Sequence, residues 1–217
     1  MLKKIALPIL SIFLFTACSL KMPEFSMPSF LSFSDDKDAI ALEKANVCQK
    51  IEEQDNKLFC YRKILNENSY AQLRMGTYSV EKKDYKKAVE YLNQSINNEN
   101  AYANLALAFL YYKGDGVEKD IDKAFKLLND SSDVDPNAAY QLSRFYLQGI
   151  NTKVDVDKGI DLLEFAASKN MLTAQKMLVN IYKDGLFSQD KDTKKVKYWE
   201  DIIKKDIKDT NFEIYKL

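Results

Sequence analysis

The sequence repeats one short pattern at intervals of about 36 residues, and this periodicity constrains the fold more than any other feature. Each copy has an aspartate, a lysine three positions later, and then Ala, Ala, Gly or Val. The aspartate suits a helix N-cap because its carboxylate accepts backbone N–H groups, and a small residue lets a second helix approach closely. The pattern therefore predicts four helix starts, at Asp84, Asp120, Asp155 and Asp192.

A second pattern precedes three of these helices. It has Ala, then Leu four positions later, Tyr after eight and Gly after eleven, as in Ala103, Leu107, Tyr111 and Gly114. This spacing places an apolar stripe on one helix face, and the glycine ends the helix in the left-handed conformation. Residues 70–97 form a leaner unit of the same kind, so each unit is predicted to be a helical hairpin. The other two copies are Ala138, Leu142, Tyr146, Gly149 and Ala174, Leu178, Tyr182, Gly185.

The composition supports an all-α fold and disfavours several functions. Only 6 Gly and 4 Pro occur in 217 residues, which is few for a sheet protein with many turns. Basic and acidic residues are equal at 32 each, so no net field attracts nucleic acid. Histidine is absent, which removes the commonest general base and metal ligand. We therefore predict no catalytic residue, no metal, no cofactor and no nucleic-acid partner.

One acidic cluster imitates the start of a calcium loop, in Asp133, Asp135 and Asn137. The next loop position, which needs glycine for its turn, is Ala138. We therefore interpret Asp135 and Pro136 as the N-cap and first residue of a helix.

The first eighteen residues predict export. Two lysines precede an apolar run from Ile5 to Ala17, which is too short to span a bilayer and is typical of a signal peptide. The end of this run, Leu14-Phe-Thr-Ala-Cys18, resembles the bacterial lipobox apart from Phe15. The resemblance implies that residues 1–17 are removed and that Cys18 is diacylated, with palmitate or a similar chain. Ser19 instead of Asp then favours the outer membrane, facing the periplasm. An ordinary secretory signal or an uncleaved anchor is the alternative.

Residues 18–38 mix Pro, Ser and acidic residues without a helical period, so they predict a flexible tether. Residues 39–68 then predict a hairpin of two short helices, 39–53 and 56–66, as a degenerate leading repeat. Each helix carries one cysteine, Cys48 and Cys60. In an exported chain these two form a disulfide or remain two buried thiols.

The stretch Ala103–Ala124 (ANLALAFLYYKGDGVEKDIDKA) resembles the Sel-one-like subclass of the tetratricopeptide superfamily. The resemblance covers about residues 70–205, although Gly159 and Val196 replace the alanine of the pattern. It implies a right-handed α-solenoid used for protein–protein contact. Residues 69–206 would form four repeats, and residues 207–217 a C-terminal capping helix.

In such solenoids the first helices line a concave groove, which is the predicted partner-binding site. Aromatic anchors beside basic side chains suit an extended peptide or a partner helix with acidic character. The alternative is that several of these aromatic residues are core residues. Projected onto this sequence, the groove residues are Tyr102, Phe109, Tyr112, Tyr140, Arg144, Gln148, Lys176, Asn180 and Lys183.

These features predict a lipid-anchored envelope scaffold that binds protein partners in secretion, surface-polymer export or cell-wall assembly. The alternative is a penicillin-binding protein or weak β-lactamase, because some cysteine-rich relatives of the repeat class are described in that way. Such enzymes need a Ser-x-x-Lys pair, but here no Ser-Asp-Asn or Lys-Thr-Gly partner accompanies it. The three pairs present are Ser34/Lys37, Ser79/Lys82 and Ser188/Lys191.

Overall fold

The computed structural model describes residues 33–205 and 207–217, and all of its regular structure is helical. The predicted signal peptide, Cys18 and most of the predicted tether lie outside the described residues. The helices are α1 (Phe33–Gln49), α2 (Gln54–Ile64), α3 (Ser69–Glu81), α4 (Tyr85–Asn97), α5 (Ala103–Lys113), α6 (Ile121–Asn129), α7 (Pro136–Gln148), α8 (Val156–Ser168), α9 (Leu172–Asp184) and α10 (Thr193–Ile203), with short 3-10 turns at Leu186–Ser188 and Glu213–Tyr215.

Consecutive helices pack against one another along the chain, as expected for a solenoid. The second helix of each unit begins where the sequence pattern predicts. Asp84, Asp120, Asp155 and Asp192 are the N-caps of α4, α6, α8 and α10, and each side chain accepts a backbone N–H of the first turn. The interpretation of Asp135 as the N-cap of α7, with Pro136 in its first turn, is also confirmed.

The predicted glycine caps are present at the ends of α5, α7 and α9. Gly114, Gly149 and Gly185 have φ values of 82°, 66° and 71°, in the left-handed region that side chains with a Cβ resist. Gly159 in α8 has a different role, since a Cβ there would lie 2.7 Å from Cγ of Leu147. The helices α7 and α8 therefore pack more closely than an alanine would allow.

The leading hairpin is formed by α1 and α2, and Cys48 and Cys60 are joined by a disulfide with Cα atoms 5.5 Å apart. Its helices differ from the predicted bounds, because α1 begins at Phe33 and ends at Gln49. The last part of the predicted tether is thus helical, and no Gly or Pro interrupts residues 33–49. Asn68 Nδ2 donates to the Ala41 carbonyl at 2.7 Å, which fixes the hairpin to the first repeat.

The buried side chains form three clusters that follow the repeats. One joins α1–α5, the second joins α5–α7, and the third joins α7–α10. The alanine or glycine after each motif lysine is buried, as at Ala88, Ala124 and Gly159. No helix of the described ranges is both long and apolar enough to span a membrane.

The prediction of a capping helix at residues 207–217 is wrong. This stretch, named here the return segment, has no α-helix. It contains a turn over residues 211–215, with a 3-10 helix at Glu213–Tyr215, and it crosses back towards α3 and α1. Its helical pairing is interrupted because the Asp209 side chain accepts the Asn211 N–H at 3.1 Å. The carbonyls of the following residues bind side chains of the repeats instead.

Candidate partner-binding surface

Three of the predicted groove residues lie together around one small depression between α5, α6 and α7. Phe109, Tyr112 and Arg144 line it, together with Phe145, and its volume is about 90 Å³. Phe109 and Tyr112 are each 39% exposed, which is high for large apolar side chains. We call Phe109, Tyr112 and Arg144 the outer surface.

The outer surface rests on a packed aromatic base. The Tyr112 and Phe145 rings meet edge to face with centroids 5.8 Å apart, and Phe125 lies 6.0 Å from Phe145. Phe145 itself is buried. The Tyr112 ring is therefore held in place before any partner arrives, which lowers the entropy cost of binding.

Arg144 supplies the charge of the outer surface. Its Nη1 donates to Oε1 of Gln141 at 3.2 Å, and none of the ion pairs among the described residues involves it. An exposed guanidinium beside an apolar depression suits a partner with an apolar side chain next to a carboxylate.

The other predicted groove residues do not join this surface. Lys176 and Asn180 line a separate shallow hollow between α9 and α10, which also contains Glu200. Lys183 and Gln148 are exposed near the ends of α9 and α7. Tyr140 packs against the core cluster of α7–α10, so for this residue the core alternative is the one observed.

Tyr102 lies beneath the return segment. Its ring centroid is 6.4 Å from that of Tyr70 and 6.3 Å from that of Tyr215. Burial raises the pKa of Tyr102, and the nearby Asp135 carboxylate raises it further. The predicted groove is thus divided into an open part and a part that the chain itself covers.

The covered part is lined by side chains of α1, α3 and the start of α7, and we call it the inner groove. Arg74 Nε donates to the Ile214 carbonyl at 3.1 Å, and the Thr77 hydroxyl donates to the Tyr215 carbonyl at 2.7 Å. The Tyr215 hydroxyl donates to the Asp135 carboxylate. The lining residues are Gln49, Arg74, Thr77, Tyr102, Asp135 and Asn137.

Asp135 is a fully buried carboxylate with neutral partners. One oxygen accepts the Asn137 N–H at 2.9 Å, and the other accepts the Tyr215 hydroxyl. Burial raises the pKa of Asp135, while these hydrogen bonds act in the opposite direction. Burial also raises the pKa of Tyr215 well above its usual value, and the Asp135 charge adds to this effect. Tyr215 is therefore the protonated donor of the pair.

Arg74 carries the positive charge of the inner groove, opposite in sign to the Asp135 carboxylate, and it is 1% exposed. Its other nitrogens donate to the Tyr61 hydroxyl at 3.1 Å and to Oδ1 of Asn46 at 2.6 Å. Within the described ranges no carboxylate forms an ion pair with it. A buried guanidinium with only neutral acceptors is unusual, since buried charges are mostly paired.

The inner groove was not predicted from the sequence, although one residue of it departs from the repeat pattern. Aligning Ala71 with Ala103, Ala138 and Ala174 places Arg74 at the same position as Ala106, Gln141 and Met177. An arginine in this register is an exception among the repeats. Tyr215 carried no such signal because it lies outside the repeat pattern.

The serine of one predicted Ser-x-x-Lys pair is not arranged as a nucleophile. Ser79 is 5% exposed, and its hydroxyl donates to the Met75 carbonyl at 2.8 Å. The Lys82 ammonium lies over the Tyr78 ring, 5.2 Å from its centroid. Across residues 33–205 and 207–217, no cluster of three Cys, Asp or Glu side chains could hold a metal ion.

Comparison with known proteins identifies the repeats. The family model for the Sel1 repeat matches residues 69–100, 101–130 and 136–171. These three stretches are Sel1 repeats. The three matches coincide with the hairpins α3–α4, α5–α6 and α7–α8, so the predicted resemblance is confirmed there. The hairpin α9–α10 carries the same motif outside the matched residues.

The chain is similar to two named proteins over part of their length. It is 31% identical to the alginate biosynthesis protein AlgK of Pseudomonas syringae over 102 residues, which is 47% of this chain and 22% of AlgK. It is 40% identical over 57 residues to HRD3B of Arabidopsis thaliana, a component of an ERAD-associated E3 ubiquitin-protein ligase. That match covers 26% of this chain and 9% of HRD3B. The chain thus spans less than a quarter of each relative.

Two solved structures share the fold. A Sel1 repeat protein from Oxalobacter formigenes superposes with a TM-score of 0.67 at 21% identity, covering 79% of this chain and 72% of that one. The protein c5321, a protective antigen present in uropathogenic Escherichia coli strains, superposes with a TM-score of 0.61 at 18% identity. That match covers 84% of this chain and 41% of c5321. Both support the Sel1-type solenoid.

Proposed function

We propose that this chain is a lipid-anchored scaffold of the bacterial cell envelope and binds protein partners through the outer surface. The Sel1 repeats and the exposed pair Phe109 and Tyr112 support the binding role. The lipobox-like segment ending at Cys18 supports the anchor. Among secretion, surface-polymer export and cell-wall assembly, the likeness to a protein named for alginate biosynthesis favours surface-polymer export.

The single observation that carries the binding proposal is the outer surface itself. Two exposed aromatic side chains, Phe109 and Tyr112, lie over a packed base beside Arg144, which has no ion-pair partner among the residues that the structure describes. Aromatic and arginine side chains dominate the energy of protein interfaces. The expected partner presents an apolar side chain to the depression and a carboxylate to Arg144.

The test of this site is a double variant, Tyr112→Ala with Arg144→Ala. In-cell crosslinking followed by mass spectrometry identifies the partners of the unaltered chain, and their recovery should fall by about tenfold or more in the variant. The matched control is Phe59→Ala with Arg62→Ala. Phe59 is 55% exposed and Arg62 is exposed on the leading hairpin, so this variant should retain the partners. If both variants lose the partners equally, or if both retain them, the partner-binding site does not lie at the outer surface.

The anchor requires a separate experiment. Globomycin should block maturation, Cys18→Ser should release the protein from the membrane fraction, and Ser19→Asp should move it from the outer to the inner membrane. Radiolabelled palmitate should label the unaltered protein and not Cys18→Ser. Unchanged fractionation of Cys18→Ser would contradict the anchor and leave the outer-surface proposal standing.

The scaffold is proposed to act by binding rather than by catalysis. A fluorescent penicillin distinguishes this proposal from the penicillin-binding alternative. We expect no covalent labelling, because the Ser79 hydroxyl is buried and bonded to the Met75 carbonyl. Labelling that disappears in Ser79→Ala would establish the alternative.

A further inference from the structure

The inner groove holds the return segment mainly by its main chain. Gln49 Nε2 donates to the Glu213 and Lys216 carbonyls at 3.3 and 3.2 Å. Arg74 Nε donates to the Ile214 carbonyl at 3.1 Å, and the Thr77 hydroxyl donates to the Tyr215 carbonyl at 2.7 Å. Four consecutive carbonyls thus bind side chains of α1 and α3. Hydrogen bonds to main-chain carbonyls do not depend on sequence, so this arrangement can bind other peptides that adopt the same turn.

A second anchor holds the other end of the segment. Asn137 Nδ2 of α7 donates to the Asn211 carbonyl at 3.0 Å, and Nδ2 of Asn211 donates to the Lys169 carbonyl at 3.0 Å. The bound stretch therefore extends from α7 to α1 in a defined direction. Its chain direction and register are set by groups that belong to the repeats.

One side chain of the segment is recognised specifically. The Tyr215 hydroxyl reaches Asp135, and its ring packs between Tyr102 and Phe212 with centroid distances of 6.3 and 6.4 Å. A phenylalanine would keep the ring contacts but leave the buried carboxylate without this donor. Asp135 thus selects for a tyrosine at this position.

The return segment satisfies the inner groove only in part. Oδ1 of Asn137, which is 1% exposed, has no hydrogen-bond partner within the described part of the chain. Arg74 donates to the neutral carbonyl of Ile214. A carboxylate in the place of that carbonyl would accept a stronger, charge-assisted hydrogen bond. A peptide that supplies a donor to Asn137 and a carboxylate to Arg74 would therefore complement the groove better.

We propose that the inner groove is a binding site for a tyrosine-bearing segment of a partner protein that folds into the same short turn, and that the return segment is its intramolecular occupant. The bound segment presents its main-chain carbonyls to Gln49, Arg74 and Thr77 and its tyrosine hydroxyl to Asp135. This site is separate from the outer surface and does not depend on the function proposed for it.

The test uses the full chain folded with its own segment. A protease site is inserted between residues 205 and 207, the folded protein is cleaved, and a fluorescein-labelled peptide of residues 207–217 is added. Fluorescence polarisation then measures exchange. The cleaved protein should bind the peptide, and the uncleaved protein should bind it far more weakly because the tethered segment competes at a high effective concentration.

Two altered peptides test the mode of recognition. The Tyr215→Phe peptide should bind about 10-fold to 100-fold more weakly, since it leaves a buried charged acceptor without its donor. The Lys216→Ala peptide is the matched control, because Lys216 is exposed and its ammonium pairs with Glu213 of the same segment. This control should bind as the unaltered peptide does.

Each other outcome overturns the proposal. Loss of the helical circular-dichroism signal on cleavage would assign the return segment to the folded core. Failure of the labelled peptide to exchange, or equal binding of the Tyr215→Phe peptide, would remove the tyrosine-binding site. Loss of binding through Tyr112→Ala and Arg144→Ala would mean that the peptide binds the outer surface instead.

Discussion

The disulfide between Cys48 and Cys60 provides the most quantitative prediction. The two residues are 12 positions apart, and closing a loop of this length stabilises the folded state by about 3 kcal/mol in the chain-entropy model. Because solenoid repeats contact mainly their neighbours, this loss should be concentrated in α1 and α2. It should extend to the return segment, since Gln49 follows Cys48 and holds two of its carbonyls.

The assay combines urea denaturation with hydrogen exchange, with and without a phosphine reductant. Reduction should lower the free energy of unfolding of the leading hairpin by about 3 kcal/mol, and amides of α1, α2 and residues 213–216 should lose protection. Amides of α8 should keep theirs. The double variant Cys48→Ala with Cys60→Ala is the control, and the reductant should not change it. A loss of protection that is equal in α1 and α8, or a change below about 1 kcal/mol, refutes the reasoning.

Two further predictions concern buried positions. Burial raises the pKa of the Asp135 carboxyl, so the protonated form of this group favours folding at low pH. That contribution to the folding free energy is lost as the pH rises through the raised pKa. The Asp135→Asn variant keeps a capping oxygen. Its free energy of unfolding relative to the wild type, measured by urea denaturation, should increase from about pH 4 to pH 7. A difference that stays constant with pH would contradict this prediction. Gly159→Ala would place a Cβ 2.7 Å from Leu147 Cγ, so it should cost about 1–3 kcal/mol in spite of the better helix propensity of alanine. Thermal denaturation measures this, and a higher Tm would contradict it.

The parts of the fold that could be predicted from sequence depend on contacts close in the chain. Asp120 caps the helix that begins at the next residue, and Gly149 ends the helix just before it. Such local interactions leave a pattern that each repeat displays again. Phe109 and Arg144 were found in the same way, because they occupy the same register in successive repeats.

The inner groove could not be predicted because its contacts join distant residues. Gln49 and Glu213 are 164 positions apart, and Tyr215 and Asp135 are 80 positions apart. The capping helix at residues 207–217 was expected only because an array of such repeats needs a solvent-tolerant end, and no pattern in these residues indicated their contacts. What decides their conformation is the set of donors on α1, α3 and α7, which exists only after the repeats have stacked.

These long-range contacts also change how the stability of the array should be understood. In an ordinary solenoid each repeat contacts only its neighbours, so the ends can fray independently. Here one segment that follows the last helix binds Asn137 in α7, Arg74 in α3 and Gln49 in α1. Displacing that segment would remove a link between the leading hairpin and the third repeat, and would expose Asp135 and Arg74 together. Occupancy of the inner groove is therefore coupled to the cohesion of the array. Within the described part of the chain, the side chains of the outer surface, on α5 and α7, form no hydrogen bond to the segment.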